Sequence, residues 1–190
     1  MEVDRLLRES LSRRRFLRAS GAGLAGGSAA ALLAACGGGS KQPRPGRSDI
    51  EVLNRLLDVK NTAIAVYVAG APLLKGELLR LARQFIAHEK EHADVLAHAV
   101  LHAGGTPHKP RSSYGFPAVR TQTDVLTLAD GIERKAIAAC IDALATLSTG
   151  ELRARVASIV ASDAEHLAVV RQALGRNPAP RAFEKGQASG

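Results

Sequence analysis

Apolar residues recur along this chain at steps of three and four, the period of a helix with one buried face. One stripe runs Leu53, Leu57, Ile64, Tyr67, and a second runs Leu74, Leu78, Leu81, Phe85, Leu96, Val100. A third is Leu126, Ala129, Ile137, Cys140, Leu144, Leu147, and a fourth is Leu152, Val156, Ile159, Val170, Leu174. The punctuation between them fits four helices. Ser48-x-x-Glu51 reads as a capping box opening the first helix, which ends near Gly70-Ala71-Pro72. The second runs from about Pro72 to His102 and stops at Gly104-Gly105-Thr106-Pro107. A long connection rich in Pro, Ser and Lys/Arg leads to about Thr121, and the third helix covers about 123–147. Ser148-x-x-Glu151 is a second capping box, opening a fourth helix that ends at Gly175 with Pro178 behind it. No segment reads as a strand. The expected fold is all-α: two helical hairpins joined by a long crossover over residues 48–175, followed by a partly disordered tail, 176–190.

Each apolar stripe is interrupted by polar residues on the same face. They are Lys60 in the first, Glu89 and His92 in the second, Glu133 in the third, and Asp163 and His166 in the fourth. A charge on a core face is costly unless it is paired or bound to metal. The chain does this twice: Glu89 and His92 recur 74 residues on as Asp163 and His166, and Lys60 recurs 73 residues on as Glu133. The chain therefore reads as two related helix pairs, each with one polar residue followed by a carboxylate-x-x-His pair.

This arrangement resembles the ferritin-like superfamily of four-helix bundles, in which two helices give one Glu each and the other two give Glu-x-x-His around two metal ions. The resemblance covers about residues 48–175 and implies a ferritin-like four-helix bundle with six ligand positions: Lys60, Glu89, His92, Glu133, Asp163 and His166. Asp163 is a shortened carboxylate, and Lys60 departs from the pattern, because a charged ammonium is not a ligand. The resemblance makes Glu89, His92, Glu133, Asp163 and His166 the candidate metal residues and Lys60 a compensating charge.

The N-terminus carries an address. Ser12-Arg13-Arg14-Arg15-Phe16-Leu17-Arg18 resembles the twin-arginine export signal, with Arg13, Arg14, Phe16 and Leu17 as its defining residues. A soft apolar stretch follows and ends in Leu33-Ala34-Ala35-Cys36, which resembles the lipobox of bacterial lipoproteins. Four glycines, Gly21, Gly23, Gly26 and Gly27, make that stretch a poor permanent membrane helix. Residues 1–35 are thus expected to be a signal peptide, Cys36 a lipid-modified N-terminus, and 36–47 a flexible tether. The expected location is the extracytoplasmic face of the bacterial cell membrane.

Cleavage changes the charge balance. Removing six basic and three acidic residues from 26 and 18 leaves 20 and 15, a net charge of +5. Lys41, Arg44 and Arg47 would lie beside the lipid, where each adds ~1 kcal/mol of attraction to anionic headgroups. Export and the absence of aromatics among the basic residues argue against nucleic-acid binding. The expected partner is the membrane; a homodimer stays open. With Cys36 acylated, Cys140 is the one free cysteine and belongs to core packing.

His88-Glu89-Lys90-Glu91-His92 is also a literal H-E-x-x-H, the string of zinc proteases. Such an enzyme needs a third ligand and a strand-bounded cleft, and Ser162 stands at the place of His88 in the repeat, so this is a remote alternative. His88 reads as a flanking residue behind the centre or at the surface. His98 and His102 read as a surface pair and His108 as a loop residue. Glu91 and Glu165 either orient the two core histidines or are simply exposed. Two functional classes follow. One is a non-catalytic lipoprotein with a degenerate carboxylate/His centre in which Lys60 replaces metal charge. The other is an iron- or manganese-dependent oxidoreductase or ferroxidase-like protein acting on oxygen, peroxide or ferrous iron. A single metal ion on the His92/His166 side lies between them.

Overall fold

Asp49 organises the start of the first helix. In the computed structural model, which describes residues 45–186, its carboxylate accepts from the Gly46 N–H at 2.7 Å, and α1 runs Arg47–Gly70. The cap is therefore supplied by Asp49, not by the expected Ser48/Glu51 pair. A 3-10 turn at Ala71–Leu73 follows, and α2 runs Gly76–His102, so the second helix starts later than Pro72. α3 runs Gln122–Thr146 and α4 runs Gly150–Ala173. Thr121 caps α3: its hydroxyl accepts from Asp124 N–H at 3.1 Å, and Asp124 accepts from Thr121 N–H at 2.9 Å. Thr149, not Ser148, caps α4 by accepting from Leu152 N–H at 3.1 Å. Ser148 instead donates twice to Asp49, from its backbone N–H at 2.9 Å and its hydroxyl at 2.6 Å. Burial alone would raise the Asp49 pKa, but the donors from Ser148 and Gly46 hold it below its ordinary value.

Two helix ends need left-handed backbone, and glycine supplies it at low cost. Gly104 (φ +82°) ends α2, where Gly105 N–H donates to Val100 O at 2.9 Å. Gly175 (φ +70°) ends α4, where Arg176 N–H donates to Arg171 O at 2.9 Å. The tail, expected to be partly disordered, is tied to α4 through Glu184, which accepts from Arg171 at 2.6 Å.

The four helices form an all-α bundle, with α1 packed on α2, α3 on α4, and α1 on α3; α2 and α4 touch over a shorter stretch. Asn54 pins the crossover, donating to Thr106 O at 3.1 Å and accepting from His108 N–H at 2.8 Å. Among the described residues no helix is long and apolar enough to cross a membrane. Arg13, Arg14, Phe16, Leu17 and Cys36, and with them the export signal and lipid anchor, lie outside the described residues.

The core has an apolar cluster at each end of the bundle. Toward one end Leu53, Leu57, Leu96, Cys140, Leu147, Val156 and Ile159 pack together; toward the other, Tyr67, Leu74, Phe85, Val125, Ala129 and Val170. On each helix the polar interruption of the stripe falls between residues of the two clusters. Burying a large apolar side chain stabilises by about 1.5–3 kcal/mol, so these clusters supply the free energy against which a buried ionic layer is held.

Candidate metal centre

All six sequence-selected residues converge on that layer. Lys60, Glu89, Glu133 and Asp163 are fully buried, His166 is 2% exposed, and the His92 side chain is 14% exposed. α1 delivers Lys60, α2 delivers Glu89 and His92 one turn apart, α3 delivers Glu133, and α4 delivers Asp163 and His166. The i, i+3 spacing within α2 and α4 puts each carboxylate and its histidine on one face.

Lys60 occupies the centre of one side. Its Nζ donates to both oxygens of Asp163, at 2.6 and 2.5 Å, and to Glu89 Oε1 at 3.3 Å. Glu89 Oε2 lies 3.0 Å from Nζ without the alignment of a hydrogen bond. His92 Nδ1 completes this side, 3.6 Å from Asp163 and 3.8 Å from Glu89. Burial alone would lower the Lys60 pKa, but Glu89, Asp163 and Glu133 outweigh it and hold it well above the ordinary lysine range. Lys60 is a charged ammonium.

The other side is rich in acceptors. His166 Nδ1 lies 3.3 Å from Glu133 and 3.5 Å from Glu89, and one ligand atom from each of Glu89, Glu133, Asp163 and His166 falls within 4.8 Å of the rest. Glu89 Oε2, Glu133 Oε2, His166 Nδ1 and His92 Nδ1 are buried without a hydrogen-bond partner. Such orphans are rare in folded proteins and call for an explanation. Burial drives Asp163 up, Lys60 opposes it, and Glu89 and Glu133 add to it, leaving its pKa at about 7. For Glu89 burial acts upward but His166, His92 and Lys60 win, holding it well below the usual carboxylate range. Burial would lower His166; Glu133 and then Glu89 overcome this and lift it to about 9.

Tyr67 was legible in the sequence only as a stripe residue, yet its hydroxyl donates to Glu133 Oε1 at 2.5 Å. A count of apolar periodicity treats tyrosine as core and says nothing about where its O–H goes. Burial, and then the Glu133 charge, push its pKa well above the ordinary value, so it stays a donor. Glu91 and Glu165 are exposed, and the ring nitrogen of His166 facing away from the carboxylates meets His88 at 3.0 Å. His88 thus turns toward His166 and does not share a point with His92, while Glu89 is ion-paired with Lys60; this is not the geometry of a zinc-protease H-E-x-x-H. Cys140 is fully buried in the core, where burial pushes its thiol up to about 12. His98 and His102 are exposed, and His108 pairs with Asp58 at 3.0 Å.

A family model described as Ferritin-like domain matches residues 48–176. Comparison with curated proteins gives no match. Among solved structures, a conserved hypothetical protein of Mycobacterium tuberculosis superposes with a TM-score of 0.64 at 17% identity, covering 66% of this chain and 96% of that one. A dodecameric thioferritin, the bacterioferritin-related protein of Bacteroides fragilis, gives 0.60 at 22%, covering 68% and 85%. Ferritin-like diiron-carboxylate proteins of Bacillus anthracis give 0.59 at 24%, covering 67% and 96%. At these identities the likeness shows the fold alone.

Proposed function

The chain belongs to the ferritin-like domain family, and from that premise we propose that it is a membrane-tethered, extracytoplasmic lipoprotein whose centre holds one divalent cation instead of two. The observation that carries this reading is the unequal fate of the two sides of the centre. On one, the Lys60 ammonium sits 2.5–3.3 Å from Asp163 and Glu89, where a second cation would be repelled. On the other, Glu133 Oε2 and His166 Nδ1 are buried without a hydrogen-bond partner, and among the described residues no lysine or arginine stands between them.

The donor set fits one ion and not two. Glu133 and His166 would hold it, with Glu89 and Asp163 shared between the ion and Lys60, and three carboxylates with one imidazole suit iron or manganese. A bound ion would supply a Lewis-acidic, redox-capable charge in a water-poor core. The chain's own residues do the rest: Tyr67 orients Glu133, and Lys60 offsets the charge shared by Glu89 and Asp163. Binding or structural support is thus the primary role. A two-metal oxidoreductase would require Lys60 to abandon three short contacts.

A metal-free charge network is the second reading. It is supported by His166, which at a pKa of about 9 is an imidazolium at neutral pH and with Lys60 offsets the three carboxylates.

Elemental analysis and an ultraviolet–visible spectrum of protein purified through its native export route separate these readings. One iron or manganese per chain is expected. Two per chain would overturn the one-metal reading in favour of the oxidoreductase, and none after saturation would leave the charge network. The same preparation tests the anchor: Cys36→Ser should move the protein from the membrane to the soluble fraction, because the basic tether alone binds weakly.

A further inference from the structure

The two core histidines are held differently. His166 is 2% exposed, its Nε2 lies 3.0 Å from His88 Nδ1, and its ring stacks on Phe85 with centroids 4.1 Å apart. His92, its counterpart in the repeat, has a side chain 14% exposed. The residue at the place of His88 on α4 is Ser162, and no hydrogen bond joins Ser162 to His92. Only the histidine on the acceptor-rich side has a second anchor.

An imidazole ligates a cation through the nitrogen that carries no hydrogen, and the partner of the other nitrogen decides which that is. We propose that His88 is the positioning residue of the one-metal centre, accepting the Nε2–H of His166 so that Nδ1 is presented, without a hydrogen, toward Glu133 and Glu89. Phe85 fixes the plane of the ring, and His88 fixes its tautomer. Behind metal-binding histidines this place is commonly taken by a carboxylate, a backbone carbonyl or water. Here the nearby glutamates, Glu91 and Glu165, are exposed, and an imidazole one helix away does it instead. The first histidine of the H-E-x-x-H string thereby acquires a role: it stands behind the ligand on α4 and is not a ligand itself. His88 is half-buried, so its own Nε2–H can be satisfied by water without disturbing the centre.

The inference rests on the one-metal reading, and the test keeps the two apart. Co2+ is titrated into the metal-free full chain and followed by its visible absorption, for the parent, His88→Phe and His88→Asn. Phenylalanine keeps the ring and removes the acceptor; asparagine places an amide oxygen where Nδ1 stood. His88→Phe should weaken Co2+ binding by about 10–100-fold, and His88→Asn should stay within roughly threefold of the parent, a rescue that packing alone would not produce. Phe binding like the parent, or Asn failing as badly as Phe, overturns the positioning role while leaving the one-metal centre in place. A parent that takes up no Co2+ rejects the centre itself and the role of His88 with it.

Discussion

The internal repeat gives each polar residue of the centre a counterpart, and the counterparts differ in matched pairs. Where α3 carries Glu133, α1 carries Lys60; where α1 carries Tyr67, α3 carries Cys140. Tyr67 reaches across the bundle to donate to Glu133, and the equivalent contact would bring Cys140 to Lys60. A buried carboxylate needs donors, and Tyr67 is one. A buried ammonium needs acceptors, which Glu89 and Asp163 provide, so a thiol that stays neutral and packs as a small hydrophobe is enough beside it. The histidines follow the same division: His88 stands behind His166, while Ser162, at the equivalent place in the repeat, makes no hydrogen bond to His92. One side of the centre is closed by a covalently attached cation; the other keeps its acceptors, its donor to Glu133 and its oriented imidazole.

The sharpest way to break this contrast is to remove the attached cation. Lys60→Met leaves Glu89, Asp163 and Glu133 buried together without the ammonium, and breaking a buried pair in this way costs about 3–5 kcal/mol. Urea denaturation of the metal-free protein should show a loss of that size. Lys60→Glu should make the two sides alike. With a fourth carboxylate some groups must protonate, and the metal-free protein should be less stable than the parent. Added Mn2+ should then bind at two ions per chain and return about 2.7 kcal/mol per ion at a hundred times its Kd. Parent-like stability in Lys60→Met would mean that the carboxylates do not depend on Lys60, and the two sides would not differ in the way described.

How much of this could be read in the sequence follows from what periodicity encodes. The four stripes named the helices, the short and long connections named their pairing, and the interruptions named Lys60, Glu89, His92, Glu133, Asp163 and His166, because burial and period are the same signal. Capping was read one residue out at Ser148, where Thr149 is the cap, and two out at Ser48, where Gly46 is the cap and Asp49 bonds back to it. Only the folded chain shows that Ser148 is taken up by Asp49 from 99 residues away. Tyr67 was missed as a partner, and His88, read as flanking the centre or at the surface, was named without its partner His166, for a related reason. Their polar atoms act across helices, and no spacing within one helix carries that information.

Proton balance distinguishes the two sides next. The fold raises His166 from 6.5 to about 9, so it favours the protonated ring. That contribution is complete below pH 6.5 and is lost as the pH rises through 9. Asp163, raised from 3.8 to about 7, works in the same direction, its contribution fading as the pH rises through 7. Lys60 stays charged throughout and adds no slope. The metal-free protein should therefore lose on the order of 3 kcal/mol between pH 6.5 and 9. A bound cation takes the place of the Nδ1 proton and should flatten the curve, with its own affinity rising over the same interval. Thermal melts across that range, with and without Mn2+, measure both slopes. An unchanged melting temperature in the metal-free protein would place His166 outside the balance.

The smallest expected effect separates the two cross-bundle pairs. Tyr67→Phe removes only the hydroxyl, leaving Glu133 Oε1 without its donor while Oε2 already has none. An abandoned buried acceptor costs about 1–3 kcal/mol. Cys140→Ala removes one buried sulfur from the apolar cluster and strands no polar atom, so its cost should be nearer 1 kcal/mol. The decisive quantity is the coupling in each pair. Tyr67→Phe combined with Glu133→Gln should be non-additive by about 1 kcal/mol or more, because the hydroxyl and the carboxylate act as one bonded unit. Cys140→Ala combined with Lys60→Met should add to within about 0.5 kcal/mol, because the thiol contributes volume and the ammonium contributes charge to different neighbours. Equal couplings in the two cycles would mean that Cys140 answers Lys60 as Tyr67 answers Glu133. The two sides would then be equivalent in how they hold charge, differing only in its sign.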